Sequence, residues 1–516
     1  TQVTADDVKK AIKDLPDSAI SGIDCINSKI LELLSNSIAL SLSIIFNSSF
    51  EQSIFPDIWK CAVVTPIFKK GDIYNMSNYR PISLLPLISK CFEKIIAKQL
   101  TDYLVQGNYL SDIQHGFRSK KSCETALLRL TNLLFSAKRQ KQHSCLVTID
   151  FSRAFDCINY NLLLGALQSC GINERALAWF SSYLQNRSQC TKYFNTFSDT
   201  LLISSGVPQG SVLGPILFNV FINQLLKHLS PDNAVAYADD LTLVGVGDSP
   251  ITAHQHTQHL LDIVYKWSIN NSLVINTSKC YAMYIAGSTR RHAAQPSNSS
   301  FLLGNESVNI VTEMKILGVL FTSDLTWQSQ QSHVCKKVNC MSGVVHRLGK
   351  SLDMDARKNI IHAFVMPHIR YCLPVWGNAN TGSYKQMNRV LERTIRIILN
   401  DRKATFDNRT RQLTNIISFK NLLFFHNVCR IHLFITDNIL PFYTGVSCDF
   451  NNVSHSTRGA CCKKLTCFKH KLTADEYCFQ YAGIHDWNVL PNSITCIDNY
   501  FKFRTSVFNY CQSSVC

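Results

Sequence analysis

A chain of 516 residues is too long for one hydrophobic core, so roughly two to four domains are expected. With 46% hydrophobic and 17% charged residues it is not an intrinsically disordered protein, and a formal net charge of +16 calls for a polyanionic partner, nucleic acid ahead of an anionic membrane. The 21 cysteines follow no secreted-framework spacing, which points to a reducing compartment. Residues 1–7 lack the basic and apolar regions of a signal peptide, and no stretch approaches roughly 18 uninterrupted apolar residues, so neither secretion nor a membrane partner is expected. The chain starts on Thr1 rather than Met, and a piece of something longer is expected.

Residues 1 to about 60 read as helical, with an apolar stretch from Leu33 to Phe46 and a breaker at Pro56. A strand over Ala62–Thr65 follows, then a basic turn at Lys69 and Lys70, an apolar strand, and a helix from Lys90 to Leu104. Ser144 to Phe151 reads as a strand ending on an acid. Cys145, Val147, Ile149 and Phe151 share one face by the period of two, which puts Asp150 on the other with Leu146 and Thr148. A helix opens near Asn159. The turn Gly206-Val207-Pro208-Gln209-Gly210-Ser211 precedes an apolar helical run from Val212 to Leu229. Such a turn exposes backbone N–H groups, and Gly210 lets a ligand approach the backbone closely.

Next comes a hairpin whose arms, Ala234–Ala238 and Leu241–Val244, are nearly all apolar, with Asp239 and Asp240 at its turn. Two carboxylates between buried arms repel each other and resist desolvation, and a divalent cation held by hard oxygen ligands is the usual remedy. The polar segment from Gly287 to Ser300 reads as an exposed loop, and helices are expected from about Gln328 to Asn400. Within them Arg389, Arg393 and Arg396 fall on one face, either solvated or set against a nucleic-acid backbone. Beyond residue 400 the periodicity weakens. Cys461, Cys462, Cys467, His470 and Cys478 form the densest cysteine cluster, but without a paired Cys-x-x-Cys unit, so ordinary thiols are expected rather than zinc.

The series Asp150…Phe155, Pro208-Gln209-Gly210 and Tyr237-Ala238-Asp239-Asp240 resembles motifs A, B and C of reverse transcriptases. The wording from Ser204 to Pro215 is similar to that of animal non-LTR retrotransposons, jockey-like elements in particular. Further matching segments are Trp59-Lys60, Pro66 to Asp72, Asn78 to Leu84, Gln114-His115-Gly116-Phe117-Arg118, Asn276 to Lys279, Leu317-Gly318-Val319 through Trp327, and Trp487 to Pro491. Gly22-Ile23-Asp24-Cys25 departs from the family's Gly-Pro-Asp-Gly turn, a difference in the fingers rather than in the chemistry.

The resemblance implies an α+β, right-hand polymerase with fingers, an antiparallel palm sheet and a thumb, plus a mostly helical C-terminal region. Its expected boundaries are 1–113 for an N-terminal extension and fingers, 114–286 for the palm with part of the fingers, 287–400 for the primer-grip region and thumb, and 401–516 for a region of unknown role. It implies an RNA-directed DNA polymerase using two Mg²⁺ ions, with Mn²⁺ as a substitute, held by Asp150 and Asp239 with Asp240 helping less directly. Phe155 would exclude the ribose 2′-hydroxyl with Phe151 nearby, Gln209 and Gly210 would lie against the nucleotide, and Lys69, Lys70 and Arg80 would hold the triphosphate. Lys279 would protonate the leaving pyrophosphate. Tyr237, Ala238, Leu317 and Gly318 would face the primer. Implied partners are RNA template, DNA primer or target, dNTPs, and an endonuclease upstream or in trans, in a ribonucleoprotein of nucleus and cytoplasm. A domesticated or catalytically dead nucleic-acid-binding remnant is the alternative.

Overall fold

A six-stranded sheet in the order β10-β11-β9-β3-β8-β7 divides the molecule. Its strands are β3 (His143–Ile149), β7 (Ala234–Tyr237), β8 (Asp240–Gly247), β9 (Tyr281–Ile285), β10 (Phe301–Leu303) and β11 (Glu306–Ile310). The alternation expected for β3 holds. Cys145, Val147, Ile149 and Phe151 enter one buried cluster, whereas Leu146 enters another with Val235, Val244, Met283 and Ile285. A sheet apolar on both faces must be covered on both. The helices α7 (Gly214–Leu226) and α8 (Pro250–Asn270) share the first cluster, and α4 (Cys123–Arg139) contributes to the second. In this computed structural model residues 2–17, 22–287, 300–378, 381–439, 443, 464–465 and 478–513 are described.

A second sheet joins β1 (Cys61–Phe68) to β2 (Tyr79–Leu84) as an antiparallel pair and to β4 (Arg187–Tyr193) in parallel, with β5 (Thr196–Phe197) and β6 (Leu201–Ile203) beside β4. The fingers are thus assembled from two stretches of chain, the second lying between the Asp150 strand and the Gly210 turn. The helix expected from Lys90 to Leu104 is α3 (Leu87–Gln106). The expected N-terminal helices are α1 (Ala5–Lys13) and α2 (Ser28–Gln52).

Helix α2 passes a test of length and mean hydropathy that the search for an uninterrupted apolar run does not apply. Its 25 residues include an 18-residue window of mean hydropathy 1.5, long and apolar enough to cross a membrane by length and composition. Interspersed Ser and Asn break the uninterrupted run without pulling the mean down. Leu31, Ala39, Leu42 and Phe46 are buried, while Leu33, Leu40 and Ile44 on the other side are exposed.

After the sheet comes a hairpin of β12 (Glu313–Ile316) and β13 (Val319–Thr322), then helices that include Gln328–Leu348, Thr381–Leu399, Phe419–Thr436, Phe479–Val489 and Tyr500–Ser513. The buried residues from Met314 to Cys511 form a single cluster that continues into the second face of the palm. Residues on both sides of 400 therefore share one core. The 288–299 part of the expected loop, and every member of the cysteine cluster except buried Cys478, lie outside the described residues.

Candidate active site

Register places the acids. Ile149 pairs with Leu241 across β3 and β8, and Tyr237 pairs with Asp240 across β7 and β8, so Asp150 emerges beside the turn that carries Asp239. Ala238 occupies that turn at φ +55, a left-handed conformation that a side chain normally avoids. Gln114 holds it there. Its Oε1 accepts from the N–H of Ala238 (2.8 Å) and of Gly116 (2.7 Å), and its Nε2 donates to the Ala238 carbonyl (3.1 Å). A Cβ on Gly116 would come within 2.2 Å of the Ala238 nitrogen, so only glycine fits.

Two of the three carboxylates, Asp239 and Asp240, are disturbed by burial and by their neighbours. Burial pushes the Asp239 carboxyl up, and the Asp150 charge adds to this, opposed by the Asp239 backbone hydrogen bond and by Arg80 and Lys69. Asp240 is pushed up to about 6, first by desolvation and then by Asp239 and Asp150, with Lys69 opposing. Its outer edge stays open to solvent although protein crowds it. Among the described residues no three His, Cys, Asp or Glu side chains cluster tightly enough to hold a metal ion unaided. Mutually repelling hard-oxygen donors of this kind suit Mg²⁺, which commonly takes one or two protein carboxylates and completes its shell with water and substrate phosphates.

Asp150 and Asp239 line a cleft of about 1240 Å³ together with Lys69, Arg80, Phe151, Phe155, Gln209, Gly210 and Lys279. The Nζ of Lys279 lies 3.6 Å from Asp150 Oδ2, and the N–H of Asn276 donates to the Asp150 carbonyl at 2.8 Å. Lys70 is exposed and outside this lining. Phe151 is 5% exposed and mainly a core residue. Phe155 is half-buried, stacked on Phe218 at 4.4 Å with one side toward the cleft.

Groups of the fold itself crowd the Gly210 turn. The helix N-terminus is already capped: buried Glu93 accepts from the N–H groups of Val212 (2.8 Å) and Leu213 (3.2 Å). Gly210, at φ +129, faces the Ser83 carbonyl, which a Cβ would meet at 2.5 Å. β2 of the fingers thus approaches Gly210 closely, and Gly210 also lines the cleft. Gln209 is not free, since its Nε2 donates to Asp156 Oδ1 at 2.8 Å, and it stays partly exposed in the cleft lining.

Sequence reasoning gave no role to Gln114, Glu93 or Asp156. The buried positions of Gln114 and Glu93 were the missing signal. Arg389 and Arg393 are exposed, but Arg396 donates to the Ala404 carbonyl (3.0 Å) and pairs with Glu392, so it leaves the expected stripe.

The model of the family described as reverse transcriptase (RNA-dependent DNA polymerase) matches residues 67–321. The RNA-directed DNA polymerase from mobile element jockey of Drosophila melanogaster is 28% identical over 408 residues, 77% of this chain and 44% of the relative. That of Drosophila funebris is 26% identical over 393 residues, 73% and 42% of the two chains. The Pol polyprotein of the type-1 element R2 of Popillia japonica is 30% identical over 207 residues, 37% and 28%. The chain spans less than half the length of these relatives. Among solved structures, apo telomerase from Candida tropicalis superposes with a TM-score of 0.40 at 12% identity, over 79% of this chain and 68% of that one.

Proposed function

From a chain whose residues 67–321 are a reverse transcriptase domain, similar to those of jockey-like non-LTR elements, we propose the activity of an RNA-directed DNA polymerase that extends a DNA 3′-hydroxyl on an RNA template. The observation that carries this is the convergence of Asp150 and Asp239 in a cleft that also holds Lys69 and Arg80. Carboxylates from two adjacent strands could hold two divalent ions, Mg²⁺ or its substitute Mn²⁺. Bound there, such ions supply activation of the primer hydroxyl and stabilisation of the leaving pyrophosphate. Lys69 and Arg80 sit on the paired ends of β1 and β2, where their charges can meet a triphosphate. Phe155 shapes the sugar's position and Gln209, held by Asp156, the base's. Lys279, 3.6 Å from Asp150, would protonate the leaving pyrophosphate.

Priming from a nicked target, with cleavage by an endonuclease upstream or in trans, fits the similarity to jockey polymerases. An intracellular ribonucleoprotein, in nucleus and cytoplasm, fits the free thiols among the described residues. Primer extension on an RNA template, with RNA affinity measured in parallel, tests the reading. Asp150→Asn and Asp239→Asn should each lose dNTP incorporation by about 10³-fold or more while RNA binding persists. Near-normal extension by either variant would sink the assignment of that residue. A wild-type protein that binds RNA but never extends would be the dead remnant instead.

A further inference from the structure

We infer that Phe117 is a positioning residue for sugar discrimination, walling in the ring of Phe155 so that a ribonucleotide finds no room in the cleft. The inference rests on the polymerase reading, with Phe155 as its sugar gate. It begins with two costs borne by one residue. Phe117 is 53% exposed, and its backbone stands at φ +54, a conformation that a bulky side chain adopts only under constraint. Neither feature helps the chain to fold. The exposed ring lines the cleft that also holds Asp150, Asp239 and Phe155.

The constraint comes from neighbours on both sides. Gly116 donates its N–H to Gln114 Oε1 at 2.7 Å, and its carbonyl accepts from Nδ2 of buried Asn219 at 2.9 Å. After Phe117, Arg118 Nη1 donates to the Ser111 carbonyl at 2.6 Å. Asn219 belongs to α7, and the residue before it, Phe218, is the ring on which Phe155 stacks at 4.4 Å. One helix thus sets both the backbone that carries Phe117 and the floor beneath Phe155. The Phe117 ring stands at 89° to that of Phe155, with centroids 6.3 Å apart, an edge-to-face arrangement that aromatic pairs favour. Fully buried Phe218 blocks retreat of Phe155 into the core. Phe117 closes a second flank, beside the Ala238 turn against which Gly116 packs. A steric gate against one hydroxyl works only if its ring cannot move aside.

Phe117→Gly removes the ring and suits the left-handed backbone, so the protein should fold with a wild-type thermal midpoint. The kcat/KM ratio of rNTP to dNTP on an RNA–DNA primer-template should rise about 2–10-fold, the factor one aromatic pair carries. Phe117→Tyr keeps the ring and should keep the wild-type ratio. Phe155→Val alone should raise the ratio, and adding Phe117→Gly to it should raise it no further, because the wall then has no gate to hold. Without substrate, 4-fluorophenylalanine placed at position 155 should give one sharp ¹⁹F resonance in the otherwise wild-type protein and a broadened or split one in Phe117→Gly. An unchanged ratio in Phe117→Gly overturns the inference, and so do effects that multiply in the double variant. An unaltered resonance overturns the wall whatever the catalysis. A wild-type ratio in Phe155→Val overturns the gate, and wild-type protein inert on the same primer-template overturns the polymerase reading. In both cases the resonance still reports on the wall, so the failures are told apart.

Discussion

Asp240 shows how a single carboxylate reports the electrostatics of the cleft. Its acid form is favoured in the folded chain, with a pKa pushed up to about 6 against an unfolded value near 3.8. A raised carboxyl pKa means that the fold carries a penalty above pH 6 that fades as pH falls toward the unfolded value. Asp240→Asn should therefore raise the thermal midpoint at pH 7.5 without divalent cations, with the gain shrinking toward zero near pH 4. Adding Mg²⁺ should raise the wild-type midpoint at pH 7.5 and do so less at pH 5, where Asp240 is protonated. Calorimetry at the two pH values checks both; a gain from Asp240→Asn that persists at pH 4 would contradict them.

Phe155 carries two roles on one ring. Its stacking on Phe218 predicts that Phe155→Val costs about 1–2 kcal/mol of stability, less than a fully buried phenylalanine, because one side faces the cleft. As a sugar gate it should also, when shortened, raise the kcat/KM ratio of rNTP to dNTP. Comparing that ratio in the two proteins separates gate from packing. A fall in both rates at constant ratio would leave Phe155 with packing alone.

Among the elements, the catalytic hairpin depends on a segment it does not contain. Residues 113–115 run along the free edge of β7, the N–H of Ala236 donating to Ile113 and that of His115 to Ala236. Gln114 from this segment makes three hydrogen bonds around the Ala238 turn. Gln114→Met keeps the volume, leaves buried groups unpaired, and should cost about 2–4 kcal/mol of stability. Extension by the folded fraction should drop as well, because the turn that presents Asp239 loses its clamp. Full extension per active site in Gln114→Met would show that the turn holds its shape unaided.

The helix Thr381–Leu399 gives a prediction of another kind. Arg389 and Arg393 are exposed, Arg393 also donating to Asn339 Oδ1 at 3.3 Å, whereas Arg396 is engaged within the fold. If these two meet nucleic-acid phosphates, replacing both by Ala should lower the salt slope of RNA binding by about two counterions. An unchanged slope would return this face of the helix to solvent.

On the scale of the whole molecule, one sheet partitions two cores, and residues 314–511 fill only the second. The order of the motifs, the face on which Asp150 lies and the hairpin bearing Asp239 were legible because they follow from local rules: a period of two, an apolar arm, a two-residue turn. Helix α8 was not read, although Ser249-Pro250 supplies an N-cap and a first-turn proline, because its burial pattern is interrupted by His and Gln residues. Tertiary structure alone decided that β4 joins the fingers, that Glu93 occupies the α7 N-terminus, and that the Ser83 carbonyl lies where a Cβ on Gly210 would be. It also decided that Arg396 is engaged by residues of the fold. The division has a physical reason. Sequence fixes what a residue can bond to and which side of its own element it lies on, whereas its actual partner is whichever group the packing of distant elements brings within about 3 Å.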